Sequence, residues 1–412
     1  MGIVERCSIA IIGAGPSGAV AAANLARAGH HVVVLERETF PRFSIGESLL
    51  PQSMAFLEEA GLLAAVQAQK FQHKNGAMFE CNGRSTEFNF EEKSSPGWGT
   101  TFQVQRALFD KVLADGASAA GADVRYRHTI EAVTPTEDGV VLEYVNGSED
   151  RQTLQADFCL DASGFGRVLP RLLDLHRPSD LPARRSLFTH IVDGIADPDF
   201  DRNKILITVH PEHRDVWYWL IPFSDGTSSL GVVATEDFLV RRAGDDKEIL
   251  IGLVQEVESL SQVLEHAEYP NPVRNITGYS AKVSSLHGKN FALLGNAGEF
   301  LDPVFSSGVT IALKSASLAS DLVSRQLGGE DVDWQKQFSE PLGRGVETFR
   351  QFVTSWYTGE LQDVIFADYR DPNIQRMICS VLAGYAWDEN NPYVAKPHRL
   401  KALAELCQGM SA

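Results

Sequence analysis

Residues 7 to 37, CSIAIIGAGPSGAVAAANLARAGHHVVVLER, open on an apolar run and break at closely spaced glycines. They continue as an alanine-rich stretch and close on a second apolar run ending at Glu36. That order predicts strand, turn, helix and strand. From residue 122 three alternating stretches, ADVRYRHTI, GVVLEYV and ADFCLDAS, predict further strands. Between 186 and 235 the apolar runs lengthen, separated by polar turns at HPEHRD and FSDGTS. Within them WYWLIP sets Trp217 and Trp219 two residues apart, on one face of a strand. From 308 the pattern becomes helical, and a distinct aromatic-rich segment follows after about 345. One short polar stretch, FQHKNG at 71 to 76, lies between two apolar ones, and its Asn-Gly pair predicts a turn that would carry Lys74 into solvent.

No internal repeat and no low-complexity linker divides the chain, so its lobes are expected to interleave, the backbone crossing between them several times. The first element pair is the most informative. Gly13 permits a tight turn, Gly15 lets the backbone approach a pyrophosphate, and Gly18 lets helix and strand pack closely. Ser17 lies in the same segment. The helix start offers free N–H groups to phosphates, and Glu36 is placed to accept hydrogen bonds from a ribose. A complete strand–turn–helix–strand unit closed by an acid reads as a dinucleotide site.

Composition narrows the setting. The 412 residues are 44% hydrophobic, enough for a full core and more than one lobe. A formal charge of −17 disfavours nucleic acid and anionic membrane surfaces as partners. No apolar run reaches the length of a membrane span and the N-terminus lacks the pattern of a signal peptide, so a cytoplasmic location is expected. The five cysteines are scattered without a C-x-x-C pair, and His210, His213 and His287 have no metal-ligand spacing, so neither disulfides nor a metal is expected.

DASGFGR (161 to 167) and FALLGNAGEFLDP (291 to 303) resemble flavin-contact motifs of the FAD-dependent monooxygenase superfamily, and VQRALFD (104 to 110) is similar to its arginine-bearing segment. The resemblance implies an α/β chain: a Rossmann-like FAD-binding unit interleaved with a β-sheet substrate lobe in the hydroxybenzoate-hydroxylase-like fold. It implies an FAD-binding core over 1–345, with the substrate-lobe sheet mainly over 186–280, and a helical segment over 346–412 that serves as a substrate lid or as ordinary core. Cofactor contacts are expected from Gly13, Gly15, Ser17, Gly18, Glu36, Arg37, Glu47, Ser48, Arg106, Asp161, Gly164, Asn296, Asp302 and Pro303. Asn296 stands where the superfamily carries an acid, and its amide can still hydrogen-bond a ribityl hydroxyl. With no second glycine fingerprint for NAD(P)H, the electrons are expected to arrive as FADH2 from a flavin reductase.

Four stretches resemble one branch of that superfamily, the flavin-dependent halogenases. WYWLIP matches W-x-W-x-I-P, FLDPVFSSG (300 to 308) matches F-x-x-P-x-x-S-x-G, FQHKNG matches F-x-x-K-x-G, and GESLLP (46 to 51) agrees. The resemblance implies that reduced FAD, oxygen and chloride or bromide give hypohalous acid through a flavin C4a-hydroperoxide, and that Lys74 delivers the halogen to an aromatic ring. Backbone N–H groups of Ser307 and Gly308 at a helix start would hold the halide. Trp217 and Trp219 would wall the organic substrate off from the flavin. Tryptophan halogenases carry a glutamate where Phe305 stands, so the expected substrate is an electron-rich phenol or pyrrole, free or tethered to a carrier protein.

Each element also has a plainer reading. The tryptophan pair is core packing, the FSSG serines cap a helix, and Lys74 is a surface lysine. Two rival functions follow: an FAD-dependent hydroxylase or dehydrogenase/reductase without halogenation, and a non-catalytic FAD-binding protein.

Overall fold

The structure is a computed structural model describing residues 5–368 and 371–411. Strand Glu5–Ile12 lies inside a sheet covered on both faces: Ile9 and Ile11 enter one apolar cluster, Cys7, Ala10 and Ile12 the other. It therefore reads as nearly continuous apolar sequence. It pairs in parallel with Val32–Glu36 on one side and Arg151–Asp161 on the other. The sheet runs His287–Gly288, Phe291–Leu293, Arg151–Asp161, Glu5–Ile12, Val32–Glu36, Asp123–Tyr126, with the hairpin Thr129–Pro135 and Val140–Val145 attached to Arg151–Asp161. Helix Pro16–Arg27 packs between Arg106–Ala119 and the 21-residue helix Ser307–Leu327, its run of buried alanines giving a slim face for close approach.

The second sheet has seven strands, in the order Arg274–Thr277, Arg185–Val192, Thr227–Ala234, Trp217–Pro222, Lys204–Val209, Gly76–Cys81, Arg84–Asn89. Its last two strands come from upstream of 186: Gly76–Cys81 pairs in parallel with Lys204–Val209, and Arg84–Asn89 pairs antiparallel with Gly76–Cys81 at the edge. Alternation sends Trp217, Trp219 and Ile221 to the face shared with the first lobe, while Tyr218 and Leu220 pack against helix Asp246–Gln255 and its neighbours. The chain is thus a mixed α/β structure with interleaved sheets and a helical C-terminal segment.

FQHKNG is not a turn. Gln72–Lys74 is a short strand paired with Thr101–Gln103, and Gly76 opens the next strand. A Cβ on Gly76 would lie 2.2 Å from the Phe88 carbonyl, so the glycine serves close strand pairing. In the C-terminal segment, helix Glu340–Tyr357 buries Phe349, Phe352, Val353 and Trp356 completely, which builds this helix into the core. Among the described residues no helix is long and apolar enough to cross a membrane.

Candidate active site

A cavity of about 640 Å³ lies between the first sheet, the start of helix Ser307–Leu327 and the tryptophan face of the second sheet. Gly13, Gly15, Ser17, Glu36 and Arg37 line one end, and Glu47, Ser48, Arg106 and Gly164 line the middle. Asn296, Pro303, Gly308, Trp217 and Trp219 line it toward the second sheet and the long helix. Of the other residues expected in the site, Gly18, Lys74, Asp161, Asp302 and Ser307 lie behind this lining.

The glycine turn fits a pyrophosphate. Gly13 has φ +95°, and a Cβ there would meet the Ala162 carbonyl oxygen at 2.8 Å. On Gly18 a Cβ would fall 1.9 Å from the Gly13 oxygen, whereas on Gly15 its nearest neighbour would be Arg42 Nη2 at 3.6 Å, facing open space. Gly15 is the N-cap of helix Pro16–Arg27 and brings no side-chain cap, so the first-turn amides stay free for an anion. Glu36 accepts from the backbone N–H of Ala14 at 2.8 Å and of Glu38 at 2.9 Å, one on each carboxylate oxygen. Further lone pairs on both oxygens remain for ribose hydroxyls. One buried acceptor in the cavity wall, Glu47 Oε2, has no hydrogen-bond partner among the described residues. These residues fit FAD.

Other expected contacts turn out to hold the frame. Asp161 accepts from Ser163 N–H at 2.9 Å and Leu169 N–H at 2.7 Å, fixing the loop that presents Gly164. Arg106 reaches the cavity, but its guanidinium is clamped on Asp110, at 2.7 and 3.0 Å, and on the Ile45 carbonyl at 2.6 Å. Asp302 accepts from Val304 N–H and from two tyrosine hydroxyls. The 161–164 and 302–303 segments shape the cavity through their backbones.

Lys74 is fully enclosed, at 0% exposure. Its ammonium donates to Ser48 Oγ at 2.6 Å and the Leu49 carbonyl at 2.9 Å, and lies 5.3 Å from the Phe90 ring centroid. Burial alone pushes it down to about 7. The surface-turn reading of this lysine therefore fails: its polar neighbours in sequence end a strand that Ser48, Leu49 and Phe90 roof over.

Ser306, one residue before the expected halide contacts, links the lysine to the cavity. It is the N-cap of the long helix, in the left-handed region at φ 55°, and its side chain does not cap that helix. Its hydroxyl instead donates to Ser48 Oγ at 3.0 Å. Ser48 and Ser306 line the cavity, Lys74 lies behind them, and the first-turn amides of Ser307 and Gly308 are left without intrahelical acceptors. Ser306 was legible as the serine of the F-x-x-P-x-x-S-x-G motif.

One further group had no clear sequence signal. His190 Nε2 lies 2.5 Å from Glu47 Oε1; burial disfavours the imidazolium, but the Glu47 carboxylate more than compensates and raises its pKa. Phe305, singled out in the sequence for standing in place of the glutamate expected of tryptophan halogenases, meets Phe352 and Trp356 edge-on with ring centroids 6.2 and 5.9 Å away. Among the described residues no cluster of histidine, cysteine or acid side chains is arranged for a metal.

A family model for the FAD binding domain matches residues 6–316. The chain is 28% identical to a 1H-pyrrole-2-carbonyl-[peptidyl-carrier protein] chlorinase of Pseudomonas fluorescens, over 91% of this chain and 88% of that protein. It matches the crystal structure of a flavoprotein/dehydrogenase from Cytophaga hutchinsonii with TM-score 0.96 and 42% identity, covering 99% of this chain and 100% of that one. The myxobacterial chondrochloren halogenase CndH, an FAD-dependent halogenase, superposes with TM-score 0.75 at 26% identity, covering 98% and 97% of the two chains.

Proposed function

The chain belongs to the FAD-binding-domain family, resembles the flavin-dependent halogenases within it and uses FAD, and from that premise we propose that it is an FADH2-dependent halogenase of an electron-rich aromatic ring. The observation that carries this reading is Lys74: a lysine with no exposure and, among the described residues, no acid partner, hydrogen-bonded through Ser48 to the N-cap serine of the long helix. An unpaired buried ammonium is costly, and positions that retain such a cost are most often chemical ones.

When bound, reduced FAD with oxygen, a proton and halide would give hypohalous acid, with oxidised FAD and water as the other products. The protein's part is placement. Amides of Ser307 and Gly308 hold the halide at the helix start, where the dipole favours an anion. Trp217 and Trp219, with ring centroids 5.9 Å apart, keep an organic ring out of the flavin compartment while a small neutral oxidant passes. Ser48 and Ser306 hand that oxidant to Lys74. With burial holding it near 7, the lysine is available both as ammonium, which polarises the halogen by hydrogen-bonding the hydroxyl oxygen, and as free amine, which carries the halogen. On the ammonium route the carbon–halogen bond forms as the oxygen–halogen bond breaks, and the departing hydroxide takes up the ring's proton as water. On the amine route that water leaves when the nitrogen–halogen bond forms, and in the final step the nitrogen–halogen bond breaks as the ring's proton returns to the amine.

Phe305 and Trp356 supply aromatic surface at the place of the missing acid, which suits rings that need no added stabilisation of the cation, phenols or pyrroles. Similarity to the pyrrolyl-carrier-protein chlorinase supports a tethered pyrrole as one candidate, with a flavin reductase as the electron source. A second reading, a dehydrogenase of the same fold, is supported by the 42% identity to the Cytophaga flavoprotein/dehydrogenase. Mass spectrometry of free and carrier-tethered phenols and pyrroles, incubated with FAD, a flavin reductase, NADH, oxygen and chloride or bromide, separates the two. A halogen isotope pattern supports the first; an oxygenated or dehydrogenated product formed equally without halide sinks it.

A further inference from the structure

The two wall tryptophans are held differently. Trp219 donates its indole N–H to Ser229 Oγ at 3.1 Å, on the adjacent strand of its own sheet. Trp217, 1% exposed, reaches out of the sheet and donates to the Tyr357 hydroxyl at 3.0 Å. Tyr357 is the last residue of helix Glu340–Tyr357, and it donates onward to Asp302 Oδ2 at 2.8 Å. The Tyr279 hydroxyl donates to the same oxygen at 3.3 Å, and Asp302 Oδ1 accepts from Val304 N–H at 3.0 Å. On the tyrosine ring lies the Arg184 guanidinium, 3.6 Å from the centroid and anchored to the Asp215 carbonyl at 3.1 Å. Segments far apart in sequence thus converge on one phenol.

We propose that Tyr357 is a positioning residue for the compartment wall: it fixes the Trp217 indole by tethering it to the Asp302 carboxylate, which makes helix Glu340–Tyr357 a strut of the wall. The proposal rests on the reading of Trp217 and Trp219 as that wall. Two features favour a positioning role over space-filling. A phenylalanine at 357 would occupy nearly the same volume, yet would leave the Trp217 indole donor unpaired in the interior and Asp302 Oδ2 with only the longer bond from Tyr279. And Asp302 caps the short turn Pro303–Phe305 that leads into Ser306, so one carboxylate sets both the wall and the approach to the helix start. Loosening the tether should let Trp217 turn toward another acceptor and open the compartment to the organic substrate.

The test uses the full chain labelled with 15N-tryptophan. The Trp217 indole resonance is assigned by its loss in Trp217→Phe. In Tyr357→Phe that resonance should move upfield, with the other indole signals unchanged and FAD affinity within twofold of wild type. Asp302→Asn, which alters the far end of the same chain, should move the same resonance. In turnover, Tyr357→Phe should lower the ratio of halogenated to halide-independent oxygenated product at least tenfold; Trp217→Phe should do the same, and the double variant no more than either. An unmoved Trp217 resonance in both Tyr357→Phe and Asp302→Asn, or losses that add in the double variant, overturns the tether. A wild type that makes no halide-dependent product defeats the halogenase reading instead, and the resonance still decides the tether.

Discussion

Replacing Lys74 by methionine should make the protein more stable at pH 6 and nearly neutral at pH 9. Burial lowers the lysine from the ordinary 10.5 to about 7. The folded state therefore holds this proton less tightly than the unfolded chain. Above the unfolded value neither state is charged and no penalty exists; it grows as pH falls from 10.5 and is complete below 7. At about 1.36 kcal/mol per pH unit the full penalty is roughly 5 kcal/mol, and about 2 to 3 kcal/mol of it develops between pH 9 and pH 6. Methionine fills a similar volume and removes the charge, but leaves the Leu49 carbonyl without its donor, at a cost of about 1–3 kcal/mol at any pH, while Ser48 keeps Ser306. The expected result is a stabilisation of about 2–4 kcal/mol at pH 6 and a difference within about 2 kcal/mol of zero at pH 9. Urea unfolding of both proteins without FAD, at the two pH values, measures it. Because Cys7 and several buried tyrosines are shifted upward and act in the opposite sense, the quantity to compare is variant minus wild type. If that difference is the same at both pH values, Lys74 does not carry the depressed pKa and the argument for its chemistry loses its physical basis.

Three further outcomes are expected. Gly18→Ala would drive a methyl group to 1.9 Å from the Gly13 oxygen, so it should displace the phosphate turn and weaken FAD binding by more than a hundredfold in a flavin-fluorescence titration. Asp161→Ala leaves the N–H groups of Ser163 and Leu169 without their acceptor, and should cost about 2–4 kcal/mol of unfolding free energy while also lowering FAD affinity. Ser48→Ala removes one of the two acceptors on the Lys74 ammonium and the bridge to Ser306; it should lower kcat for the halogenated product about tenfold or more and move the lysine limb of the pH–rate profile to lower pH, with Ser48→Thr restoring both.

The flavin-binding half was legible because its chemistry lies in contiguous spacing: Gly13, Gly15, Gly18 and Glu36 belong to one strand–turn–helix–strand unit, and the structure sets them as that unit requires. Lys74 was legible only through resemblance. Its neighbours His73, Asn75 and Gly76 describe a solvated turn, and what buries it comes from Ser48 and Leu49, 26 and 25 positions away. The hydroxyl bridge spans 258 positions, and Tyr357 reaches Trp217 across 140; no local pattern encodes either. Arg106 is the opposite case. Read from the sequence as a cofactor contact, it stands four residues before Asp110 in RALFD, and the structure pairs the two within one helix. The strands Gly76–Cys81 and Arg84–Asn89 were hidden for a related reason: each alternates weakly, and partner strands confer their order.

The most direct test of the account compares where the halogen goes in wild type and in Lys74→Ala, each supplied with FADH2, oxygen, halide, the aromatic substrate and a small β-diketone scavenger that traps hypohalous acid. The account predicts that the variant binds FAD as wild type does and still halogenates the scavenger in a halide-dependent way, but no longer halogenates the ring. Undiminished ring halogenation in the variant, or an oxygenated product formed without halide by both proteins, would contradict it.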